Sequence, residues 1–359
     1  MEDMVKAEGF WVNKSCFVTG HTGFKGGWLS LWLEQLGARV SGYALPPTTR
    51  PNFFDLSGLQ ETMTSSLADV RSLEALTMAM GAAQPEVAFH LAAQPLVRES
   101  YSTPVETYEV NLMGAVHFLE AVRRTPSVQV AIIVTSDKCY ENREWHWGYR
   151  ETDRMGGHDP YSNSKGCVEL ITSAYRDSFL TKNQVQVATV RAGNVIGGGD
   201  WAEDRLIPDM VRAFSSAGTL HIRAPKAIRP WQHVLEPLCG YLMLAEKLWQ
   251  MDRRDASAWN FGPSEQDVCS VAEVVKKAAA IWGEEVCWTV APPPHPHETR
   301  TLKLDCSKAR SLLGWIPVLD LDTALKWTID WYKAQQAGIV DMRELTIRQI
   351  GAYEALARR

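Results

Sequence analysis

The sequence predicts an α/β fold: a doubly wound parallel sheet carrying a smaller, mostly C-terminal lobe. Three observations point there. Short apolar, β-branched runs alternate with helix-length amphipathic stretches through the first half. A glycine-rich turn follows the first of those runs directly. The length, 359 residues, suits one large α/β domain or two smaller ones.

Residues 15–19 read as the first strand, 29–36 as a helix and 39–43 as the second strand. Further strands are expected at 62–66, 86–91, 128–134 and 185–190. Helices are expected between them at 72–80, 104–123 and 159–179. Continuous apolarity in these strands fits a sheet covered on both faces. After Arg191 the rhythm changes: Gly197-Gly198-Gly199 and an Arg-, Trp- and Pro-rich stretch at 201–231 predict long functional loops. Residues 259–261 return as a late strand, and 270–359 hold two or three helices and a Pro-rich loop at 292–296. The expected division is a nucleotide-binding domain at 1–193 with a returning segment near 230–262. A second domain would comprise 194–229 and 263–359.

Composition excludes several classes of function. Lys and Arg number 37 against 42 Asp and Glu, a formal charge of −5, with no basic run, which disfavours nucleic acid or an anionic membrane as partner. The longest uncharged stretch, twelve residues between Arg124 and Asp137, falls short of the roughly 20 needed to span a bilayer. Met1–Lys6 has neither a basic n-region nor an apolar core, so no secretion signal is expected. Seven scattered cysteines contain no Cys-x-x-Cys pair, which predicts reduced thiols, a cytoplasmic protein and no zinc knuckle.

Thr19-Gly20-His21-Thr22-Gly23-Phe24-Lys25-Gly26 spaces its glycines G-x-x-G-x-x-G between a strand and a helix. Backbone without Cβ lets a pyrophosphate approach a helix N-terminus, where unpaired N–H groups and the dipole favour negative charge. No Gly-Lys-Ser/Thr closes the turn, so it is not a P-loop. The second strand ends Tyr43-Ala44-Leu45-Pro46-Pro47 without the carboxylate that would hold an NAD ribose, and Arg50 follows; NAD and NADP both remain open here. Asp69-Val70, after the third strand, is a place where an adenine could be hydrogen-bonded.

Asp159 and Pro160 suit the N-cap and first position of a helix that places Tyr161 and Lys165 at i and i+4. A phenol has an ordinary pKa near 10, so it needs a neighbouring ammonium to act as a base at neutral pH. The fifth strand ends Thr135-Ser136-Asp137-Lys138, where doubly wound sheets put their ligands. Ser136 is suited to bind a substrate hydroxyl, with an acid and a base beside it.

The order TGHTGFKG, HLAAQPLVRESY, TSDKCY, YSNSK and RAGNVIGGGDW, with the stretches at 144–150, 156–161, 229–237 and 302–309, carries a resemblance. It is similar to the nucleotide-sugar branch of the extended short-chain dehydrogenase/reductase superfamily, specifically its 4,6-dehydratases, from about residue 10 to 335. The resemblance implies a Rossmann-type fold, NAD as cofactor and CDP-D-glucose as substrate. It implies oxidation at C4, loss of water across C5–C6 and reduction at C6, for deoxysugar synthesis of the lipopolysaccharide type. Tyr161 would be the C4 base, Lys165 its activator and ribose ligand, Ser136 the C4-oxygen donor and Asp137 the acid at C6. Lys138, where dTDP-glucose dehydratases hold Glu, would take the C5 proton or stabilise the enolate. Contacts to NAD are expected from Gly20, Thr22, Gly23, Phe24, Lys25, Gly26, Asp69, Val70, Leu91, Ala92, Ala93, Gln94, Asn111 and Thr135, besides Tyr161 and Lys165.

Guanidinium forks match a diphosphate, and the family uses the stretch after the sixth strand for it, so Asn194, Arg205, Arg223 and Arg229 are expected substrate ligands. His295-Pro296-His297-Glu298 has metal-like composition but broken spacing; by resemblance His297 lines the sugar-nucleotide cleft and no metal is expected. Of fourteen tryptophans, Trp145, Trp147, Trp201 and Trp231 are candidates to stack on cytosine, and Trp315, Trp327 and Trp331 to fill the core. The helices at 104–123 and 161–179 are those with which this superfamily dimerises, so a homodimer or dimer of dimers is expected. Two rivals compete: a 4-epimerase, which needs no acid and base at C5–C6, and a dinucleotide-sensing scaffold, which would not need the Tyr-Lys pair.

Overall fold

The computed structural model describes residues 9–216, 218–250, 255–283, 287–291 and 300–358. Its first strand, β1 (Ser15–Thr19), runs through the glycine turn into α1 (Phe24–Gln35) and β2 (Arg39–Ala44). Then come β3 (Thr64–Leu67), α2 (Leu73–Ala83) and β4 (Val87–His90). A helix at Pro104–Tyr108 passes through a π-turn, Glu109–Met113, into α3 (Gly114–Arg124), followed by β5 (Val130–Val134). The chain continues with α4 (Pro160–Tyr175) and β6 (Gln186–Ala192).

The seven strands of the main sheet lie in the order β10-β6-β5-β4-β1-β2-β3, where β10 is Ala258–Phe261, and every pairing is parallel. The order reverses between β1 and β4, which opens the crevice where such sheets hold ligands. Side chains alternate across β1: Cys16 and Val18 join the larger buried cluster, and Phe17 joins the second. The second cluster takes Leu76 and Met80 of α2, Phe118 of α3 and Val168 of α4, so these helices cover one face. Trp28 and Trp32 of α1 lie in the larger cluster on the other.

Beyond β6, the stretch expected to be loops holds regular structure. It contains β7 (Asn194–Ile196), α5 (Leu206–Ser215), β8 (Leu220–Ile222) and β9 (Ile228–His233). A long helix, α6 (Leu235–Trp249), then leads to β10. It escaped the sequence reading because twelve of its residues are buried, leaving no polar face to set a period, and because Pro237 and Gly240 look like breakers. Two small sheets follow: β11 (Val268–Ser270) with β9 and β7, and β12 (Trp288–Val290) with β8. Three further helices, α7 (Val271–Trp282), α8 (Leu321–Ala337) and α9 (Met342–Ala357), complete the described chain. Trp315 and Trp331 are buried in the core; Trp327 packs against it partly buried.

Candidate active site

A cleft of about 630 Å³ opens at the carboxyl ends of β1, β4, β5 and β6. Its floor is the glycine turn. Gly20 has φ +77°, and a Cβ there would stand 2.8 Å from Ala92 N; a Cβ at Gly26 would stand 2.1 Å from Gly20 O. Gly23 caps α1 without any side-chain hydrogen bond, so the first N–H groups of the helix face the cleft. Gly20, Thr22, Gly23, Phe24, Lys25 and Gly26 all line it. The cradle fits a dinucleotide pyrophosphate: bare backbone, open donors and a favourable dipole.

Residues 44–49 form the far rim and bring no carboxylate; Arg50 is exposed and does not line the cleft. Asp69, Val70, Leu91, Ala92, Ala93 and Thr135 do line it. The Asp69 carboxylate is bound by Arg71 at 2.6 Å, which holds it below the usual carboxylate range, while its carbonyl accepts from Tyr43 Oη at 2.8 Å. Gln94 and Asn111 lie behind the wall. Asn111 Oδ1 accepts Gln94 N at 2.8 Å, its Nδ2 donates to Ser164 Oγ at 3.0 Å, and Gln94 Nε2 donates to Thr107 Oγ1 at 3.0 Å. These two expected cofactor contacts therefore brace the β4 loop against α4, and the π-turn is what swings Asn111 inward.

Ser136, Asp137, Lys138, Tyr161 and Lys165 converge on the same cleft. Asp159 caps α4, with Oδ1 accepting Ser162 N at 2.8 Å, which fixes where Tyr161 emerges. Burial pushes the Tyr161 phenol up to about 12; hydrogen bonding with Ser136 and the charge of Arg205 oppose the rise. Lys165 is lowered by burial to about 8 and donates to Val134 O at 3.3 Å. Asp137 is buried and its carboxyl is pushed up by desolvation. Its Oδ1 accepts Ser136 Oγ at 3.0 Å, while Oδ2 has no partner among the described residues. That oxygen lies beside Gly193, where a Cβ would approach it to 3.2 Å. A carboxyl biased toward its protonated form, with one oxygen unmet among the described residues, lines the cleft.

On the opposite wall stand Asn194, Arg205, Arg223 and Arg229. Arg205 pairs with Asp200 at 3.0 Å and also acts electrostatically on Tyr161, closer to the chemistry than a diphosphate ligand needs to be. Arg229 acts on Asp137 and donates to Ile228 O at 3.0 Å. His297, and the whole of 295–298, lies outside the described residues. Trp201 and Trp231 line the cleft. Trp145 and Trp147 do not: their rings lie 5.6 Å apart, and Trp145 packs on Tyr149 at 5.0 Å in a separate cluster. Among the described residues no group of His, Cys, Asp and Glu side chains is arranged to hold a metal ion.

The family model described as GDP-mannose 4,6 dehydratase matches residues 17–328. The chain belongs to that family. It is similar to the CDP-glucose 4,6-dehydratase of Salmonella typhimurium, 50% identical over 355 residues, covering 98% of this chain and 99% of that protein. It also resembles a dTDP-glucose 4,6-dehydratase of Xanthomonas campestris at 24% identity, over 93% and 98% of the two chains. Among solved structures, a UDP-glucose 4-epimerase from Thermotoga maritima superposes with TM-score 0.78 at 20% identity, over 89% and 99% of the two chains. For a member of the GDP-mannose 4,6 dehydratase family, the cleft holds two groups that the sequence reading missed, Arg98 and Asp204. The place of Arg98, just beyond the carboxyl end of β4, was the signal for it; nothing in the sequence marks Asp204.

Proposed function

We propose that this protein is a CDP-D-glucose 4,6-dehydratase that uses NAD. The Salmonella relative supports the base and the sugar, and the glycine cradle supports the dinucleotide. The observation that carries dehydration, as against epimerisation alone, is Asp137: buried, held toward its protonated form, with Oδ2 unpartnered among the described residues.

NAD, when bound, supplies a two-electron acceptor that returns the electrons to the same sugar. Ser136 and Tyr161 hold the C4 oxygen, and Tyr161 takes the C4 hydroxyl proton. Lys165 and Arg205 bias the phenol toward phenolate. A ketone at C4 makes the C5 hydrogen acidic, and Lys138, beside Asp137, takes that proton or stabilises the enolate. Asp137 gives its proton to the departing C6 hydroxyl, which leaves as water.

The cofactor lies on residues 1–193 and the sugar nucleotide on 194–229 and 263–359 in this reading. No described helix is long and apolar enough to cross a membrane. Val105 and Met113, along the helix leading into α3, are 70% and 43% exposed, and Leu170 and Phe179, on and after α4, 62% and 46%; we assign this apolar face to a second copy of the chain. A solution mass of one chain at every concentration would remove the dimer.

Incubation with CDP-, dTDP-, GDP- and UDP-glucose, following the alkali absorbance of a 4-keto sugar, tests the activity. The expected result is product from CDP-glucose and little from the others. An Asp137→Asn variant is expected to lose about 10²–10⁴-fold in turnover. Undiminished turnover in that variant would refute the acid.

A further inference from the structure

Glu169 lies one helical turn beyond Lys165, as Lys165 lies one turn beyond Tyr161, so α4 presents the three in a row. Its carboxylate is buried. One oxygen accepts from Thr135 Oγ1 at 2.5 Å and Arg191 Nε at 2.8 Å; the other accepts from Thr189 Oγ1 at 2.5 Å and Arg191 Nη2 at 2.8 Å. Lys165, one turn earlier, donates to Val134 O. The two charged side chains thus grip consecutive residues, Val134 and Thr135, immediately ahead of Ser136 and Asp137. Arg191 extends the network to Tyr140 Oη at 2.6 Å, and Tyr140 donates to Asn260 Oδ1 at 2.7 Å on β10, so the anchor reaches across the sheet edge.

We propose that Glu169 is a positioning residue: it fixes the end of β5 and holds the Lys165 ammonium in the place and charge state on which the Tyr161 base depends. The proposal rests on Tyr161 and Lys165 acting as described above. A buried ammonium is costly without a compensating anion. The titratable and charged groups that act on Lys165 or on the carboxylate come from several elements. They are Lys25 on α1, His90 on β4, Cys139 after β5 and Arg191 on β6, with Tyr161 one turn before Lys165 on α4 itself. Among the influences that keep Lys165 protonated, Glu169 is the largest and Cys139 the next. Lys25 and His90 add no negative charge. A purely structural staple would explain the hydrogen bonds to Arg191 and Thr189, but it would leave the titration of Lys165 indifferent to the carboxylate.

The test is a paired substitution, Glu169→Gln with Arg191→Met, which removes both buried charges at nearly constant volume. Its readouts are the side-chain ¹⁵N resonance of Lys165 in the full chain, assigned with Lys165→Met, and the pH profile of kcat on CDP-D-glucose. The expected result is a Lys165 midpoint and an alkaline kcat limb displaced acid-ward by about one pH unit, with KM changed less than about threefold. Glu169→Asp, which retracts the charge by one methylene, moves the midpoint the same way by less, and decides the matter if the paired variant does not fold. Thr135→Val, which cuts the tie to β5 and leaves the charges, is expected to lower kcat about tenfold with the midpoint in place. A Lys165 midpoint unmoved in the folded variants overturns the proposal, whatever happens to kcat. Absence of turnover by the parent protein would instead remove the proposed function, since the Lys165 titration needs no substrate.

Discussion

Arg98 reaches across the mouth of the cleft to Asp204, Nη1 to Oδ1 at 2.7 Å. The same oxygen accepts from Arg223 Nη1 at 2.8 Å, so one carboxylate bridges guanidiniums from the two walls. Asp204 does so at φ +59°, a conformation that Asp tolerates better than most residues. The bridge places a carboxylate where an anionic ligand would meet the same two arginines. Asp204→Asn keeps the backbone tolerance and drops the charge; KM for the sugar nucleotide is expected to fall about three- to tenfold, with a steeper dependence on salt. Steady-state kinetics at two ionic strengths decide it, and a KM that rises would place Asp204 among the ligand's own contacts.

Arg205 favours ionisation of the Tyr161 phenol. Without that cation the phenolate becomes harder to form, so the acid limb of the rate profile, which climbs as the phenol ionises, should move to higher pH. Arg205→Met is expected to shift that limb upward by about half a unit to one unit. A limb left in place, with only KM altered, would return Arg205 to a purely ligand-binding role.

Glu236 on α6 accepts Val318 N at 2.9 Å and Leu319 N at 2.6 Å through Oε1, and Tyr353 Oη at 2.8 Å through Oε2. Burial nevertheless raises its carboxyl to about 7. The unfolded chain ionises near the ordinary glutamate value and the folded chain resists doing so. This group therefore costs nothing below about pH 4 and costs stability progressively as pH rises from there through 7, at most about 3 kcal/mol. Glu236→Gln keeps the acceptor for both backbone donors, so it should melt higher than the parent at pH 8 and alike at pH 4. A variant less stable at pH 8 would mean that the three hydrogen bonds outweigh desolvation.

Gly26→Ala puts a methyl group 2.1 Å from Gly20 O, whereas Gly23→Ala meets the same oxygen at 3.4 Å. The first must open the turn; the second need not. Gly26→Ala is expected to lose about 2–4 kcal/mol of stability and most affinity for NAD, Gly23→Ala much less. Melting curves with and without NAD compare them, and equal losses would contradict the packing argument.

The first six strands and the longer helices of the nucleotide-binding half could be read from sequence because most of these strands are buried and all are bounded by turn residues; the edge strand β3 is the exception, partly exposed. Tyr161 and Lys165 were legible because a cap and a proline fix the helix phase. What escaped has physical reasons. The helix α6 is buried over most of its length and shows no polar face to set a period. Gln94 bonds to Asn111, which sits inside a π-turn that no spacing announces. Trp145 packs on Tyr149 and Trp147 on Trp145, a choice between aromatic surroundings that only tertiary packing makes. Asp204 meets Arg98 over a separation of 106 residues, a pairing that no local pattern reveals.

The last described helix braces the first. Trp32 Nε1 donates to Glu354 Oε1 at 2.7 Å, Arg343 Nη2 pairs with Glu34 at 2.9 Å, and Tyr353 stacks edge-on to Trp32 at 5.7 Å. A chain emerging from the ribosome in order would make α1 early and hold its outer face, including a buried indole N–H whose acceptor lies 322 residues on, without that companion until α9 had followed. Maturation of the dinucleotide cradle is therefore tied to the synthesis of α9, and a product stalled before that helix would expose the aromatic face to chaperones.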